Sequence, residues 1–193
     1  MVRYLENILD TTIAEELEKF LIRHPWKWGF ISKPHIGESV PHWSIIFGGA
    51  SKSQERLYDC ETELQDDVIK NIWTELKTMF FFDDILVRCY ANAITKGIDQ
   101  RMHTDDNYPG SKTLIIYVNK IWDVDWAGET VIWDRARREI IGSYLPKFNH
   151  GLLIDGSSWH GVRPVSTYCN NLRMTLMFKT RPKTYIGEIN ASL

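Results

Sequence analysis

Three side chains in the second half of the sequence are of the types that bind a catalytic metal ion. His103 and Asp105 are separated by one residue in the segment RMHTD, and His160 follows in WHGVRPV. On a β-strand, residues two apart project from the same face, so strand geometry would aim His103 and Asp105 together. Two imidazoles and one carboxylate form the 2-His-1-carboxylate arrangement, which suits iron(II) and leaves coordination positions open. The spacing therefore predicts a metal site.

The His-x-Asp pattern is short, and an exposed histidine beside an acidic turn would look the same. The six histidines are His24, His35, His42, His103, His150 and His160. Among them, His103 alone has a carboxylate two positions away on a predicted strand, and His160 alone lies inside a β-like run. These two features favour a metal site over a chance pattern.

A candidate anion site lies 13 residues after His160, at Arg173 in LRMTLMFK. If WHGVRPV and LRMTLMF form a hairpin about the turn STYCNN, Arg173 comes close to His160, and alternation places Arg173, Thr175 and Met177 on one face. A guanidinium binds a carboxylate bidentately, and a hydroxyl at Thr175 can donate to the same oxygens. Without the metal motif, the favoured interpretation of Arg173 would be a surface arginine paired with an acidic side chain.

Two predicted helices precede the segments that carry these residues. Helical periodicity predicts one helix over about 13–23, with capping-box spacing at Thr12 and Glu15. It predicts a second over about 62–80, with Thr62 and Gln65 as its cap. The apolar stripe of the second helix consists of Leu64, Val68, Ile72, Trp73, Leu76, Met79 and Phe80. Between the helices, WSIIF at 43–47 indicates a strand.

From residue 84 onward the sequence changes to short β-branched and aromatic runs separated by turn residues. The runs are ILVRCYANAI, KTLIIYVN, ETVIW, GLLID, WHGVRPV and LRMTLMFK. This texture predicts a mainly β sandwich or barrel, with the two helices as buttresses against one sheet. Because no repeat or linker is visible, we expect a single domain over 1–193, with a helical and mixed part at 1–83 and a β core at about 84–180.

Composition narrows the class of partner and the compartment. A net charge of −2 and a pI of about 6.3 give no general attraction to phosphate backbones, so nucleic acid is not the expected partner. Three cysteines without CxxC spacing argue against disulfides or a thiolate zinc site and favour a reducing, cytoplasmic setting. No stretch approaches about 18 uninterrupted apolar residues, so no membrane partner is expected either.

The order HTD, GET, GLLIDGSSWHGVRPV and RMTLMF resembles the iron(II)/2-oxoglutarate-dependent oxygenases of the prolyl 4-hydroxylase type, over about residues 84–180. The resemblance implies a double-stranded β-helix, the jelly-roll or cupin-like fold. It implies Fe(II) at the open mouth of the barrel, bound by His103, Asp105 and His160. It also implies 2-oxoglutarate deeper in the barrel, bound by Arg173 with Thr175.

Two tyrosines extend this resemblance to the 2-oxoglutarate site. Tyr117 in TLIIYVN matches a tyrosine that binds the distal carboxylate, and Tyr90 in VRCYANAI matches a strand tyrosine near the co-substrate. Two spacings depart from the family pattern: Tyr90 to His103 and His160 to Arg173 are both longer than usual. Arg163 is therefore a competing candidate for the anchor of 2-oxoglutarate.

The activity that the resemblance implies is hydroxylation of an unactivated C–H bond of a peptidyl or free amino acid, with O2 consumed and succinate and CO2 released. An aspartate at 105, where glycine or alanine would admit a halide, favours hydroxylation over halogenation. The sequence leaves open whether the substrate is a protein, a peptide or a small molecule, and it does not predict an oligomeric state. Residues 34–49 and 105–111 are expected at the rim of the substrate site.

Two alternatives remain at this point. One is a nucleic-acid or small-metabolite oxygenase of the same superfamily; the repair-type members carry Arg-x5-Arg, whereas here Lys179 stands six residues after Arg173. The other is a non-catalytic jelly-roll module that binds a metal without turnover.

Overall fold

The computed structural model describes residues 1–31, 40–49 and 58–184. These contain two helices, α1 (Thr11–Arg23) and α2 (Asp67–Phe80), and ten strands. The strands are β1 (Val2–Leu5), β2 (Lys27–Phe30), β3 (His42–Gly48), β4 (Asp84–Ile94), β5 (Lys112–Tyr117), β6 (Thr130–Trp133), β7 (Ile140–Tyr144), β8 (Gly151–Asp155), β9 (His160–Val162) and β10 (Arg173–Pro182). Neither helix is long and apolar enough to cross a membrane.

The described strands form two antiparallel sheets. The larger has the order β1-β8-β5-β10-β4-β3-β2, and the smaller has the order β7-β6-β9. The long strands β4 and β10 pair at the centre of the larger sheet, from Arg173 opposite Ile94 to Pro182 opposite Asp84. Ile132 of the smaller sheet packs with buried residues on the inner face of the larger sheet. The predicted mainly β, jelly-roll architecture is confirmed.

Both helices cover the outer face of the larger sheet, as predicted. The main core contains Leu17 and Leu21 of α1, Trp73 and Leu76 of α2, and the outward side chains of the central strands. The Trp73 ring stacks on that of Phe178 with a centroid distance of 5.5 Å. One face of β4 and β10 is therefore used for stability, which leaves the opposite face free to line a pocket.

The predicted helix starts are wrong by a few residues. Helix α1 is capped by Asp10, whose carboxylate accepts from the Thr12 backbone N–H at 2.8 Å, so Thr12 lies inside the helix. Helix α2 begins at Asp67, because 61–63 form a separate 3-10 turn and Leu64 is extended. In both cases the sequence contains a capping-box pattern, but the N-cap is a different residue: Asp10 for α1 and Asp66 for α2.

Three strands escaped sequence prediction because each is only four or five residues long. Strand β1 pairs with β8, β2 pairs with β3, and β7 pairs with β6. Strands β2 and β7 are largely exposed, so they lack the apolar alternation that marks a half-buried strand.

Candidate active site

His103 and His160 are joined directly by backbone hydrogen bonds. Each backbone N–H donates to the carbonyl of the other residue, at 2.8 and 2.9 Å, which forms an isolated antiparallel bridge. The prediction that His103 and Asp105 share a strand face is wrong, because neither lies in a strand. Instead, the N–H groups of Asp105 and Asp106 both donate to the Gly156 carbonyl and hold the turn that brings Asp105 inward.

Both histidines present the same nitrogen to the centre of the site. The Nδ1 atom of His103 donates to the Arg101 carbonyl at 3.0 Å, and Nδ1 of His160 donates to the Ser158 carbonyl at 2.9 Å. A carbonyl only accepts, so Nδ1 carries the proton and the Nε2 lone pair is free for a metal. Burial lowers the pKa of His160 to about 4, which keeps that imidazole neutral, as ligation requires.

The Asp105 carboxylate completes the set. Its oxygens lie 3.5 Å from His103 Nε2 and 3.6 Å from His160 Nε2, and one ligand atom from each residue lies within 4.8 Å of the others. Two imidazoles and a carboxylate are a donor set that fits iron(II). These three predicted residues are therefore brought together in the fold.

Two further side chains hold the Asp105 carboxylate, which is 1% exposed. Lys179 Nζ donates to Oδ1 at 2.6 Å and Thr113 Oγ1 donates to Oδ2 at 2.8 Å. Burial alone would raise the pKa of Asp105, but the charge of Lys179 outweighs it and holds this pKa well below its ordinary value. The carboxylate is ionised, which is the state that binds a metal ion.

Arg173 lies in the same pocket, but not by the predicted route. Strands β9 and β10 do not form a hairpin: β9 pairs with β6 in the smaller sheet, and β10 pairs with β4 and β5 in the larger one. Arg173 is 2% exposed, and it donates from Nε to the Gly128 carbonyl at 2.6 Å and from Nη2 to Thr130 Oγ1 at 2.9 Å. Burial lowers its pKa to about 10, so the guanidinium is still charged at neutral pH. It is not a surface arginine.

The other predicted co-substrate residues surround Arg173 or line the same pocket. Thr175 lies on β10 on the same face as Arg173, and Tyr117 is opposite Thr175 on β5 with its ring 5.5 Å from the Arg173 guanidinium. Burial raises the pKa of Tyr117 to about 12, so its hydroxyl keeps its proton. That hydroxyl is buried without a hydrogen-bond partner in the described residues, which fits a bound carboxylate oxygen.

Tyr90 and Arg163, the two remaining candidates, lie in different places. Tyr90 is buried on β4 and lines the pocket, with Lys179 Nζ 5.3 Å from its ring centroid. Arg163 is exposed and faces a separate surface depression with Trp133 and Arg137. Of the two arginines, Arg173 faces the pocket and Arg163 does not.

Sequence reasoning missed the polar residues that support the predicted ones. Lys179 and Thr113 hold Asp105, while Gly128 and Thr130 hold Arg173. Lys179 could have been found, because it continues the inward alternation of Arg173, Thr175 and Met177 by one more step. Gly128 has a φ of +75° and a Cβ there would lie 3.2 Å from Arg173 Cδ, so the close approach favours glycine.

The predicted rim segments are only partly described. Residues 34–39 lie outside the described residues, and His42 faces the pocket from the start of β3. After the triad, Asp106 forms a bidentate ion pair with Arg181 at 2.6 and 2.8 Å, and it lines a neighbouring depression.

The fold and this site define a jelly-roll protein with a His-Asp-His metal site beside a buried arginine. The chain matches the family model of the 2OG-Fe(II) oxygenase superfamily over residues 86–178. It is a 2-oxoglutarate-dependent oxygenase, and its cofactors are Fe(II) and 2-oxoglutarate. No curated protein matches the sequence significantly.

Several solved structures share the fold. An oxidoreductase of the 2OG-Fe(II) oxygenase family from Burkholderia pseudomallei has a TM-score of 0.70 at 17% identity, over 93% of this chain and 84% of that one. A Pseudomonas putida prolyl-4-hydroxylase has a TM-score of 0.64 at 12% identity, over 94% and 92%. HygX from Streptomyces hygroscopicus, with nickel and 2-oxoglutarate bound, has a TM-score of 0.63 at 9% identity, over 94% and 77%. At these identities the likeness establishes the fold alone.

Proposed function

We propose that the protein hydroxylates an unactivated C–H bond of an amino acid, free or peptidyl, and converts 2-oxoglutarate and O2 to succinate and CO2. The observation that carries this proposal is the convergence of three metal-ligand atoms in a pocket that is also lined by the buried Arg173, whose guanidinium lies 5.5 Å from the ring of Tyr117. A metal site alone would not require the arginine. Together they match the needs of a metal ion and a dicarboxylate bound side by side.

In the proposed arrangement, His103, Asp105 and His160 hold the iron. Bound iron(II) with 2-oxoglutarate supplies the oxidation, in which one oxygen atom of O2 enters the substrate C–H bond and the other enters succinate. Arg173 and Tyr117, with Thr175, bind the distal carboxylate of 2-oxoglutarate and orient it. Tyr90 and Lys179 line the pocket beside the metal. Lys179 and Thr113 also fix the orientation of Asp105.

Apolar side chains support the positioning role of the pocket. Ile115 is 5% exposed and Met177 is 7% exposed, and both face the pocket between the arginine and the metal ligands. These apolar side chains limit the water that reaches the co-substrate. They thereby strengthen the charged contacts at the two ends of the co-substrate.

The three cysteines bear on the compartment. Cys60, Cys89 and Cys169 are buried free thiols. Buried thiols that are not paired are typical of a reducing compartment, which supports a cytoplasmic setting for this enzyme.

The decisive experiment measures succinate formed from 2-oxoglutarate after anaerobic loading with Fe(II), without and with a panel of peptides and amino acids. His103→Ala should lower the rate at least about a hundredfold, since loss of an outer partner of a metal ligand alone costs about 10 to 100-fold. Arg173→Gln should weaken 2-oxoglutarate binding.

Two variants serve as matched controls. The ring of His150 also donates from Nδ1 to the carbonyl two residues earlier, at 2.7 Å, but lies outside the pocket, and Arg3 lies over Phe80 on the outer face. His150→Ala and Arg3→Gln should therefore keep turnover. Wild-type protein that binds the metal but forms no succinate under any condition would show a non-catalytic metal-binding module instead.

A further inference from the structure

Arg88 is a cation on the pocket wall that the proposed chemistry leaves unused. It lies on β4 on the same face as Tyr90 and Asn92 and lines the pocket that contains the metal ligands. Its guanidinium carbon lies 5.1 Å from the centroid of the Phe30 ring and 4.8 Å from that of the Tyr90 ring. Two aromatic faces thus hold the guanidinium in place, while hydrogen-bonding atoms at its edge remain available.

The other two cations of this pocket have hydrogen-bond or ion-pair partners, whereas Arg88 has neither kind of partner among the described residues. Lys179 is paired with Asp105, and Arg173 donates to Gly128 and Thr130. The Nε atom of Arg88 is buried without a hydrogen-bond partner, and no carboxylate of the described segments pairs with its guanidinium. A buried donor without a partner is costly, so a partner supplied by a bound molecule would remove this penalty.

The position of Arg88 separates it from the 2-oxoglutarate site. Arg173 is opposite Ile94 on β4. Ile94 is six residues from Arg88, so the two positions are about 20 Å apart along the strand at roughly 3.3 Å per residue. Arg88 is instead opposite Lys179, the residue that holds the metal ligand Asp105. Arg88 therefore stands at the level of the metal, where the molecule to be oxidised must lie.

A polar wall adjoins this position. His42 Nε2 and Asn92 Oδ1 are buried without hydrogen-bond partners within the described ranges, and both side chains line the same pocket. His42 is 2% exposed. The cation and this wall together offer one anion-binding group and polar atoms that can pair with an amino or hydroxyl group.

We propose that the substrate is a small molecule with a free carboxylate, such as a free amino acid, and that Arg88 binds this carboxylate between Phe30 and Tyr90. This inference rests on the proposed function and narrows its substrate from a peptidyl or free residue to a free acid. A planar guanidinium matches a carboxylate through two parallel hydrogen bonds, which an internal peptide residue cannot offer from its backbone. Charge favours the same choice, because the pocket lining carries Arg88, Arg173 and Lys179 against the carboxylate of Asp105.

The test compares free amino acids with their carboxamides, in two assays. In the first, protein loaded with Ni(II) and 2-oxoglutarate is titrated with each pair by calorimetry. In the second, the same pairs are tested for stimulation of succinate formation by the Fe(II) enzyme. At least one free acid should bind the wild type about tenfold to a hundredfold more tightly than its carboxamide, as expected for a charged hydrogen-bonded pair.

Variants then assign that preference to Arg88. Arg88→Gln should remove the preference for the acid, and Arg88→Lys should restore part of it because the charge returns without the planar fork. Arg3→Gln is the matched control, since it removes another arginine that lies over a phenylalanine ring but outside the pocket. Thermal unfolding of each variant shows that the fold is kept.

Several outcomes would overturn the inference. If no acid of the panel binds the wild type more tightly than its carboxamide, or if Arg88→Gln keeps the preference, Arg88 does not bind a substrate carboxylate. A loss of 2-oxoglutarate affinity in Arg88→Gln as large as that in Arg173→Gln would assign Arg88 to the co-substrate. A different result would overturn the proposed function itself: a wild type that forms no succinate, with or without added substrate, and does not bind 2-oxoglutarate.

Discussion

Asp105 is the most constrained side chain of the metal site. Each of its oxygens accepts from a different residue, Lys179 on one side and Thr113 on the other, and both donors come from strands of the larger sheet. Such contacts fix the rotamer of a metal ligand before the metal arrives, which reduces the cost of ordering the site. The affinity of the site should therefore depend on residues that do not touch the metal.

Thr113→Val tests this dependence without a change of charge or shape. Loss of the hydroxyl donor should lower the affinity for Fe(II) or Ni(II) by about tenfold or more. Metal titration followed by calorimetry measures the effect.

Thr180→Val is the matched control for this variant. Thr180 is equally buried, at 1% exposed, and its hydroxyl donates at 2.8 Å to Asp84, a carboxylate outside the metal site. Both variants should lose stability, but Thr180→Val should keep the metal affinity. Equal affinities in the two variants would mean that Thr113 does not position Asp105.

At the scale of elements, α1 and α2 hold the larger sheet from its outer face. Leu17 and Leu21 of α1, and Ile72 and Trp73 of α2, are buried in the core that contains the outward side chains of β4 and β10. The inward side chains of the same two strands line the pocket. The helices therefore act on the site indirectly, by keeping the strands in register.

The start of α1 offers a measurable test of this support. Asp10→Ala removes the carboxylate that accepts from the Thr12 N–H and should lower the free energy of unfolding by about 1 kcal/mol. Urea denaturation gives the value.

Asp66 provides the comparison, because it stands at the same position before α2 but makes no side-chain capping hydrogen bond. Asp66→Ala should have a smaller effect, limited to its charge near the helix N-terminus. If Asp66→Ala proved as destabilising as Asp10→Ala, the effect of Asp10 would not come from the capping bond.

At the scale of the whole molecule, the main core and the metal site are separate. The core between helices and sheet contains neither the metal ligands nor Arg173, all of which lie on the other side of the larger sheet. Folding should not require the metal, in contrast to small domains whose core is organised by zinc.

Removal and addition of ligands should reflect this separation. After treatment with a chelator the protein should stay folded, with a cooperative thermal transition. Ni(II) and 2-oxoglutarate should then raise Tm, because a ligand present at 100 times its Kd adds about 2.7 kcal/mol to the stability.

Arg173→Gln should reduce the part of this rise that depends on 2-oxoglutarate and leave the part that depends on Ni(II). Differential scanning fluorimetry separates the two contributions. Unfolding upon chelation would show that the metal site is needed for the fold.

The sequence by itself determined the properties that depend on near neighbours. The inward alternation of Arg173, Thr175 and Met177 follows from the two-residue period of a strand, which is local, and the structure has it. The residue types at His103, Asp105 and His160 likewise indicated the donor set, whatever the route by which the chain brings them together. The mainly β texture after residue 84 and the two buttressing helices were also visible in the sequence.

Tertiary structure alone decided which segments meet. Strand geometry was expected to aim His103 and Asp105 together, but they converge through a bridge to His160 and a turn held by Gly156. A hairpin of β9 with β10 was expected, but β9 pairs with β6. Lys179 reaches Asp105 across 74 residues of sequence. Such contacts depend on which sheet faces pack together, and that is set by the burial of residues far apart in the chain, which a local pattern does not record.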